Sequence, residues 1–279
     1  MSGVRIVTDS ACDLPQELAD ELGIEIVPLK IRFGEEEFVD RTELSTDDFW
    51  RRSAGSSVLP ETAAPPPGAF EEAFRRLASE GAEGIVSINL SSALSATFQS
   101  AEVAAKAVAD AVPVRVVDSR SLTMGLGMMC VEAARTAEAG KGIEDVAGVA
   151  EDLSTRTKVY GALDTLDNLR KGGRIGGAQA FFGSLLSIKP IIEVSNGVVE
   201  PEAKQRTRAK ALAYLVDKVK AEPVVENLAV MHADCPDVDQ FVERLRPYYE
   251  GEIIVGQIGP VIGTHGGRGT IGVVYQTAR

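Results

Sequence analysis

Apolar positions along the chain recur with two periods, and the points where one gives way to the other mark its elements. Val4-Arg5-Ile6-Val7-Thr8 reads as a short buried strand that closes on polar Asp9 and Ser10. Asp13 is placed to cap the next helix, Leu18 and Leu22 share one face of it, and Gly23 ends it. Val27, Leu29, Ile31 and Phe33 alternate with Pro28, Lys30 and Arg32, which predicts one strand with a single buried face. Phe70, Ala73, Phe74 and Leu77 then fall at helical spacing. Ile85-Val86-Ser87-Ile88 is the next strand, and Leu94, Phe98, Ala101 and Ala105 stripe the helix after it. Val114-Arg115-Val116-Val117 is a third strand and closes on Asp118-Ser119, echoing the first. Helices over about 125–139 and 143–155 complete this half.

Strand and helix in alternation predict parallel strands joined by right-handed crossovers. From residue 158 the texture changes. Val159 to Leu163 reads as a strand, and Asn196-Gly197 between branched residues is a strong hairpin signal. A helix (206–221), a strand (224–231), a helix (236–246) and strands near 252–258 and 270–276 follow. The expected fold class is α/β in two domains. An N-terminal parallel-sheet α/β domain spans 1–157, and a C-terminal α+β domain with a mixed sheet spans 158–279. The Ser-, Ala- and Pro-rich stretch 53–68 runs straight into the Phe70 helix and reads as a loop, not a linker.

Composition narrows the function. At 44% apolar and 25% charged residues, the chain can bury sizeable cores. A net charge of −12 argues against nucleic acid or an anionic membrane surface as partner, because both select clustered Lys and Arg. Cys12, Cys130 and Cys235 are few and far apart, which fits a reducing cytoplasm better than a disulfide framework. The first residues carry no secretory h-region and no apolar run reaches the ~18 residues of a membrane span. A cytoplasmic protein is expected.

Three segments carry candidate chemistry. Ser91-Ser92-Ala93-Leu94-Ser95-Ala96-Thr97 lies between a strand and a helix start, where free backbone N–H groups favour an anion. Ordinary capping is the competing account, but it needs one or two hydroxyls, not four. Glu61-Thr62-Ala63-Ala64-Pro65-Pro66-Pro67 is a stiffened loop able to hold Thr62 in place. Gly259-Pro260-Val261-Ile262-Gly263-Thr264-His265-Gly266-Gly267-Arg268 reads as a Gly-rich turn presenting one of only two histidines. Such neutral donors suit a carboxylate better than a multiply charged phosphate. Asp9 and Asp118 follow strands and more plausibly orient loops than bind metal, and His232 reads as a satisfied edge histidine. Gly125 and Gly127 lack the third glycine of a dinucleotide site, and no P-loop or GxSxG elbow occurs. Lys171-Gly172-Gly173-Arg174 and the island Lys204, Arg206, Arg208 and Lys210 stand out against the acidic background.

In their order and spacing these motifs resemble the DegV fatty-acid-binding proteins, which include the lipid-binding subunits of bacterial fatty acid kinase. The resemblance runs through nearly the whole chain. It rests on Val7-Thr8-Asp9-Ser10, Thr62 with Pro65 and Pro67-Gly68, Ser91-Ser92 with Ser95 and Thr97, Val117-Asp118-Ser119, Lys171 to Ile175, Lys189-Pro190, Arg206-Thr207-Arg208 and Gly259 to His265. It implies a carrier, not an enzyme, that binds a long-chain fatty acid of the palmitate or oleate class as its ligand, without a metal or cofactor. It implies carboxylate contacts at Thr62, Ser95 and His265. It further implies a separate fatty acid kinase as partner, with Arg174 and Arg206 supporting docking or phosphoryl transfer, and transient membrane contact for lipid exchange. Ala96, Phe98, Gly266 and Arg268 depart from the family pattern, and Arg268 could add a cation near the site.

A carboxylate in an apolar site needs hydrogen bonds, which these three side chains can supply. The tail supplies affinity: roughly 0.8 kcal/mol per buried methylene gives about 12 kcal/mol gross for about fifteen methylenes, less the cost of association. Phe70, Phe74, Leu77, Met124, Met128, Met129, Phe181, Phe182, Leu185 and Leu186 are candidate tail contacts, although core packing is the commoner role for each. The rival reading is an acyl hydrolase or transferase with Ser95 as nucleophile and His265 as base.

Overall fold

A computed structural model describes residues 3–56, 58–181 and 188–279. Among them, the four-stranded sheet has the order β2 (Glu25–Val27), β1 (Val4–Asp9), β6 (Gly84–Asn89) and β7 (Val114–Asp118). All of its pairings are parallel. A six-stranded sheet has the order β10 (Val198–Gln205), β9 (Lys189–Ser195), β8 (Thr157–Ala162), β13 (Ile271–Thr277), β11 (Val225–His232) and β12 (Ile253–Gln257). It is mixed: only β11 and β12 run parallel. The two sheets give the α/β fold with a parallel and a mixed part that the periodicity predicts. The hairpin turn falls on Asn196 (φ 50°) and Gly197 (φ 81°), both left-handed, as a two-residue type I′ loop requires.

A small antiparallel sheet orders β4 (Glu36–Val39), β3 (Lys30–Phe33) and β5 (Glu61–Ala63). It corrects one expectation: the single strand over Val27–Phe33 is two. Pro28 has no N–H to continue a ladder, and the Leu29 N–H turns aside to Ser10 Oγ at 3.0 Å. Glu25–Val27 stays in the parallel sheet while Lys30–Phe33 leaves it, keeping Leu29 and Ile31 buried.

The helices are α1 (Gln16–Glu21), α2 (Thr46–Gly55), α3 (Pro67–Ser79), α4 (Thr97–Ala107), α5 (Thr123–Glu138), α6 (Ile143–Arg156), α7 (Asp167–Lys171), α8 (Arg208–Ala221), α9 (Val238–Leu245) and α10 (Pro260–Gly266). Helix α5 touches both large sheets and is buried almost all round, the signature of a helix enclosed by a core. Its glycines serve that packing. A Cβ on Gly127 would meet the Cys12 carbonyl at 2.7 Å, and one on Gly125 would meet Val159 Cγ2 at 2.9 Å. Helices α3 and α4 cover the other face of the parallel sheet through Phe70, Phe74, Leu77 and Ala101.

Asp13 does not cap α1, which starts after Pro15 without a side-chain cap. Leu94 does not stripe α4 but sits in the turn before it, since the helix begins at Thr97. Among the described residues, no helix is long and apolar enough to cross a membrane.

Candidate functional site

One cavity lies on a face of the six-stranded sheet, lined also by α10 and by the segments that follow β2, β6 and β7, with about 900 Å³ of atom-free space that includes open solvent at its mouth. Its lining gathers Thr62, Ser95 and His265, residues up to 203 positions apart in sequence. Arg174, which the sequence reading assigns to docking or phosphoryl transfer, lines it beside them. Arg206 is exposed and lines no described cavity, so the structure does not bring it to this site. Among the described residues no Asp or Glu lines it, and beyond the polar cluster the wall is almost wholly aliphatic.

Local structure sets each side chain. Thr62 lies in β5, opposite Ile31 of β3, and the Pro65–Pro67 run leads directly into α3 with Pro67 in its first turn. Its hydroxyl is 3.1 Å from His265 Nε2. The run that reads as a Gly-rich turn is helical: Gly259 is the N-cap of α10, Pro260 stands in the first turn, and His265 is in the last. Pro at a first helical position loses no hydrogen bond. The glycines allow close packing, not a loop around a headgroup. A Cβ on Gly263 would come within 2.8 Å of the Trp50 ring, and one on Gly172 would come within 2.3 Å of His265 Nδ1. The Lys171–Arg174 turn therefore lies directly against the imidazole.

Burial, reinforced by the Arg174 charge, pulls the His265 pKa down to about 4, so the ring is neutral at pH 7. Its Nδ1 is buried without a partner. A nucleophile–base pair does not form: Ser95 Oγ pairs with Thr97 Oγ1 at 2.9 Å, while His265 Nε2 pairs with Thr62. Among the described residues no acidic group orients His265, and a ring this hard to protonate is a poor general base.

Of the four hydroxyls in the Ser91–Thr97 run, three are structural. Ser91 donates to the Gly197 carbonyl at 2.7 Å, Ser92 donates to Asp118 at 2.5 Å, and Thr97 is fully buried beside Ser95. Only Ser95 faces the cavity. Arg174 donates from Nε to the Leu94 carbonyl at 3.1 Å and from a terminal nitrogen to the Gly172 carbonyl at 2.7 Å. Among the described residues no carboxylate pairs with it. A ligand carboxylate here would meet one guanidinium, two hydroxyls and one neutral imidazole.

The aliphatic wall is built from other residues than the candidate tail contacts, whose commoner role, core packing, holds for those the structure describes. Phe70, Phe74, Leu77, Met124, Met128 and Met129 lie in packed cores and do not line the cavity. Phe181 packs beside Leu163, Leu166 and Leu169 without reaching the lining, and Phe182, Leu185 and Leu186 fall outside the described residues. The floor is instead a face of the mixed sheet. Across its strands Met231, Gly272, Gly161 and Ile192 stand in register, with Val274, Val159 and Val194 in the adjoining row. All seven line the cavity. Two facing glycines hollow the floor between Met231 and Ile192. An isolated glycine in a strand pattern signals such an approach, and both Val159–Leu163 and Ile271–Thr277 contain one.

The remaining candidates have structural employment. Asp9 accepts hydrogen bonds from the Leu90 and Ala11 amides and from Asn89 Nδ2, and burial raises its pKa to about 6. Asp118 accepts from Ser92 and from the Arg120 amide. His232 accepts from the Cys235 amide through Nδ1. Arg268 pairs with exposed Asp234 beside Asp47 and Trp50, so it adds no cation to the cavity. Arg208 is bidentate on Asp237.

Comparison with known proteins places these features in a family. A family model described as "Uncharacterised protein, DegV family" matches residues 3–278. A DegV domain-containing protein of Streptomyces coelicolor is 42% identical over 285 residues, covering 98% of each chain. The structure resembles that of a DegV-family protein from Thermus thermophilus described as fatty acid binding, with a TM-score of 0.89 and 31% identity over 100% of both chains. It also resembles DegV, a fatty acid binding protein from Bacillus subtilis, with a TM-score of 0.89, 32% identity and 100% coverage of both chains.

Proposed function

The chain belongs to the DegV family, and on that footing we propose that it binds a long-chain fatty acid of the palmitate or oleate class. The carboxylate sits among Thr62, Ser95, His265 and Arg174, and the tail lies on the floor around Gly161 and Gly272. The observation that carries this reading is the composition of one cavity: polar donors clustered in an otherwise aliphatic wall that holds no acidic side chain. A phosphate ester would need more cations than Arg174, and a sugar would need polar groups along the wall.

In the same reading the protein is a carrier without catalysis of its own. It presents the carboxylate at the cavity mouth to a separate kinase, which forms the acyl phosphate. The unformed Ser95–His265 pair supports this over a hydrolase. Exposed Arg206 belongs to the docking surface, so Arg206→Ala should spare lipid uptake and lower kinase-coupled turnover.

Native mass spectrometry after mild purification should show a co-purified C14–C18 acid, and delipidated protein should take up labelled palmitate or oleate. Protein that carries no acid and takes up neither label contradicts the reading. Ester hydrolysis that disappears in Ser95→Ala would favour the hydrolase instead.

A further inference from the structure

Asp13 is almost fully buried, 8% exposed, in the turn between β1 and α1, with a left-handed φ of 50°. Its two oxygens reach two distant elements. Oδ2 accepts from the Thr123 hydroxyl at 2.6 Å, and Oδ1 accepts from the Gly259 amide at 3.1 Å. Thr123 opens α5 and lines the fatty-acid cavity; Gly259 is the N-cap of α10, which carries His265. Gly259 has no side chain of its own to cap that helix, and none would fit, because a Cβ there would lie 2.6 Å from Asp13 Oδ1. Thr123 itself holds φ 48°, a strained setting for a β-branched residue that the surrounding structure must enforce.

From these contacts we infer that Asp13 is a positioning residue, whose carboxylate ties α10 to α5 and so sets His265 against Thr62 in the carboxylate site; the inference rests on the fatty-acid reading above. At 1.5 Å rise per residue, His265 lies about 9 Å along the helix from the clipped end. Its imidazole must arrive within hydrogen-bonding distance of Thr62 on another element, 3.1 Å in the structure. Hydrogen bonds from outside tie α10 down at Asp13 on its start, at Asn168 Nδ2 on the Thr264 carbonyl (3.2 Å), at Thr62 on His265 and at Thr270 Oγ1 on the Gly266 carbonyl (2.8 Å). Burial raises the Asp13 pKa to about 7 against the opposing Thr123, Arg41 and Gly259 contacts. A buried carboxylate with both oxygens committed is costly unless those contacts serve the structure around it.

The test separates placement of the headgroup helix from general stability. Affinities of delipidated protein for palmitic acid and for hexadecanol, which share a tail, are measured in wild type, Asp13→Ala, Asp13→Asn and Asp13→Glu. Wild type should prefer the acid by tenfold or more, the scale of one hydrogen bond to a charged group at about 1.5–3 kcal/mol. Asp13→Ala should lose most of that preference while binding the alcohol within about twofold of wild type. Asp13→Asn should keep it, since an amide oxygen still accepts from Gly259 and the amide nitrogen can donate to Thr123. Asp13→Glu decides the matter where the Ala variant does not fold. It keeps the charge, but its extra methylene pushes on Gly259, and the preference should fall.

Equal loss of acid and alcohol in Asp13→Ala, or full preference retained in Asp13→Glu, would overturn the inference. Wild-type protein that binds neither compound contradicts the fatty-acid reading itself and takes the inference with it.

Discussion

The hollow in the sheet floor makes a quantitative prediction. Gly161 of β8 faces the cavity beside Gly272, and a Cβ added to it would find Leu163 and Ile192 at 3.6–3.9 Å, ordinary contact distances. Alanine therefore fits without strain, and a leucine can grow only into the space assigned to the tail. Leucine adds four carbons, which displace about four methylenes of ligand. At roughly 0.8 kcal/mol each, the loss is about 3 kcal/mol, or about 200-fold in Kd for palmitate. Gly161→Ala should cost about fourfold by the same arithmetic. Strand stability should hold or rise in both variants, since glycine is a poor strand residue. The assay is displacement of a fluorescent fatty acid from delipidated protein, with thermal unfolding as the check on folding. A folded Gly161→Leu variant that binds palmitate within threefold of wild type would refute the assignment of the floor.

His265 links pH to stability, because its pKa falls from 6.5 to about 4 on folding. The unfolded chain binds the extra proton between those values, so this imidazole's contribution is constant above pH 6.5 and is lost as pH falls toward 4, by about 3 kcal/mol in all. Urea unfolding of delipidated wild type and His265→Ala should show their stability difference shrinking by about that much between pH 7 and pH 4; parallel curves contradict the burial argument. Asp9 and Asp13 titrate the other way: their folded pKa values of about 6 and 7 lie above the unfolded value of 3.8, so their contribution is full below pH 3.8 and lost as pH rises through about 6 to 7. Asp13→Asn should accordingly flatten the fall in stability between pH 4 and pH 7, measured the same way. Thr62→Val and Ser95→Ala should each weaken palmitate binding by about tenfold while leaving hexadecanol binding nearly unchanged, and equal losses for both compounds would remove these residues from the headgroup site. Gly263→Ala should destabilise the fold by about 1–3 kcal/mol through contact with Phe49 and Trp50, and an unchanged melting temperature would show that α10 packs less tightly there.

Periodicity carried the architecture because burial leaves its imprint on every element. The Phe70–Leu77 stripe, the branched runs ending on Asp9 and Asp118, and the Asn196-Gly197 turn all read through to the structure. What local pattern could not show was where the chain leaves a ladder at Pro28, or that Gly259–Gly267 is a tightly packed helix cap and not an open turn. Glycine spacing is the same in both cases, and the difference lies in Trp50 and Asp13, more than two hundred residues away. The site divided along the same line. Thr62, Ser95 and His265 were legible as hydroxyls and an imidazole in unusual settings. The aliphatic wall was not: large apolar side chains attract attention, whereas the cavity exists where they are missing, at Gly161 and Gly272. Arg174 was legible as a cation in a Gly-rich turn, but its reach to the Leu94 carbonyl depends on the docking of two distant turns.

In the proposed function one aliphatic cavity with a clustered polar end holds a fatty acid by its carboxylate. A crystal structure of the protein saturated with palmitate tests it most directly. The carboxylate should lie within hydrogen-bonding distance of Thr62 Oγ1, Ser95 Oγ and the His265 ring, with continuous tail density crossing the Gly161–Gly272 floor. Palmitate bound elsewhere, or bound with its carboxylate turned away from these three residues, would contradict it.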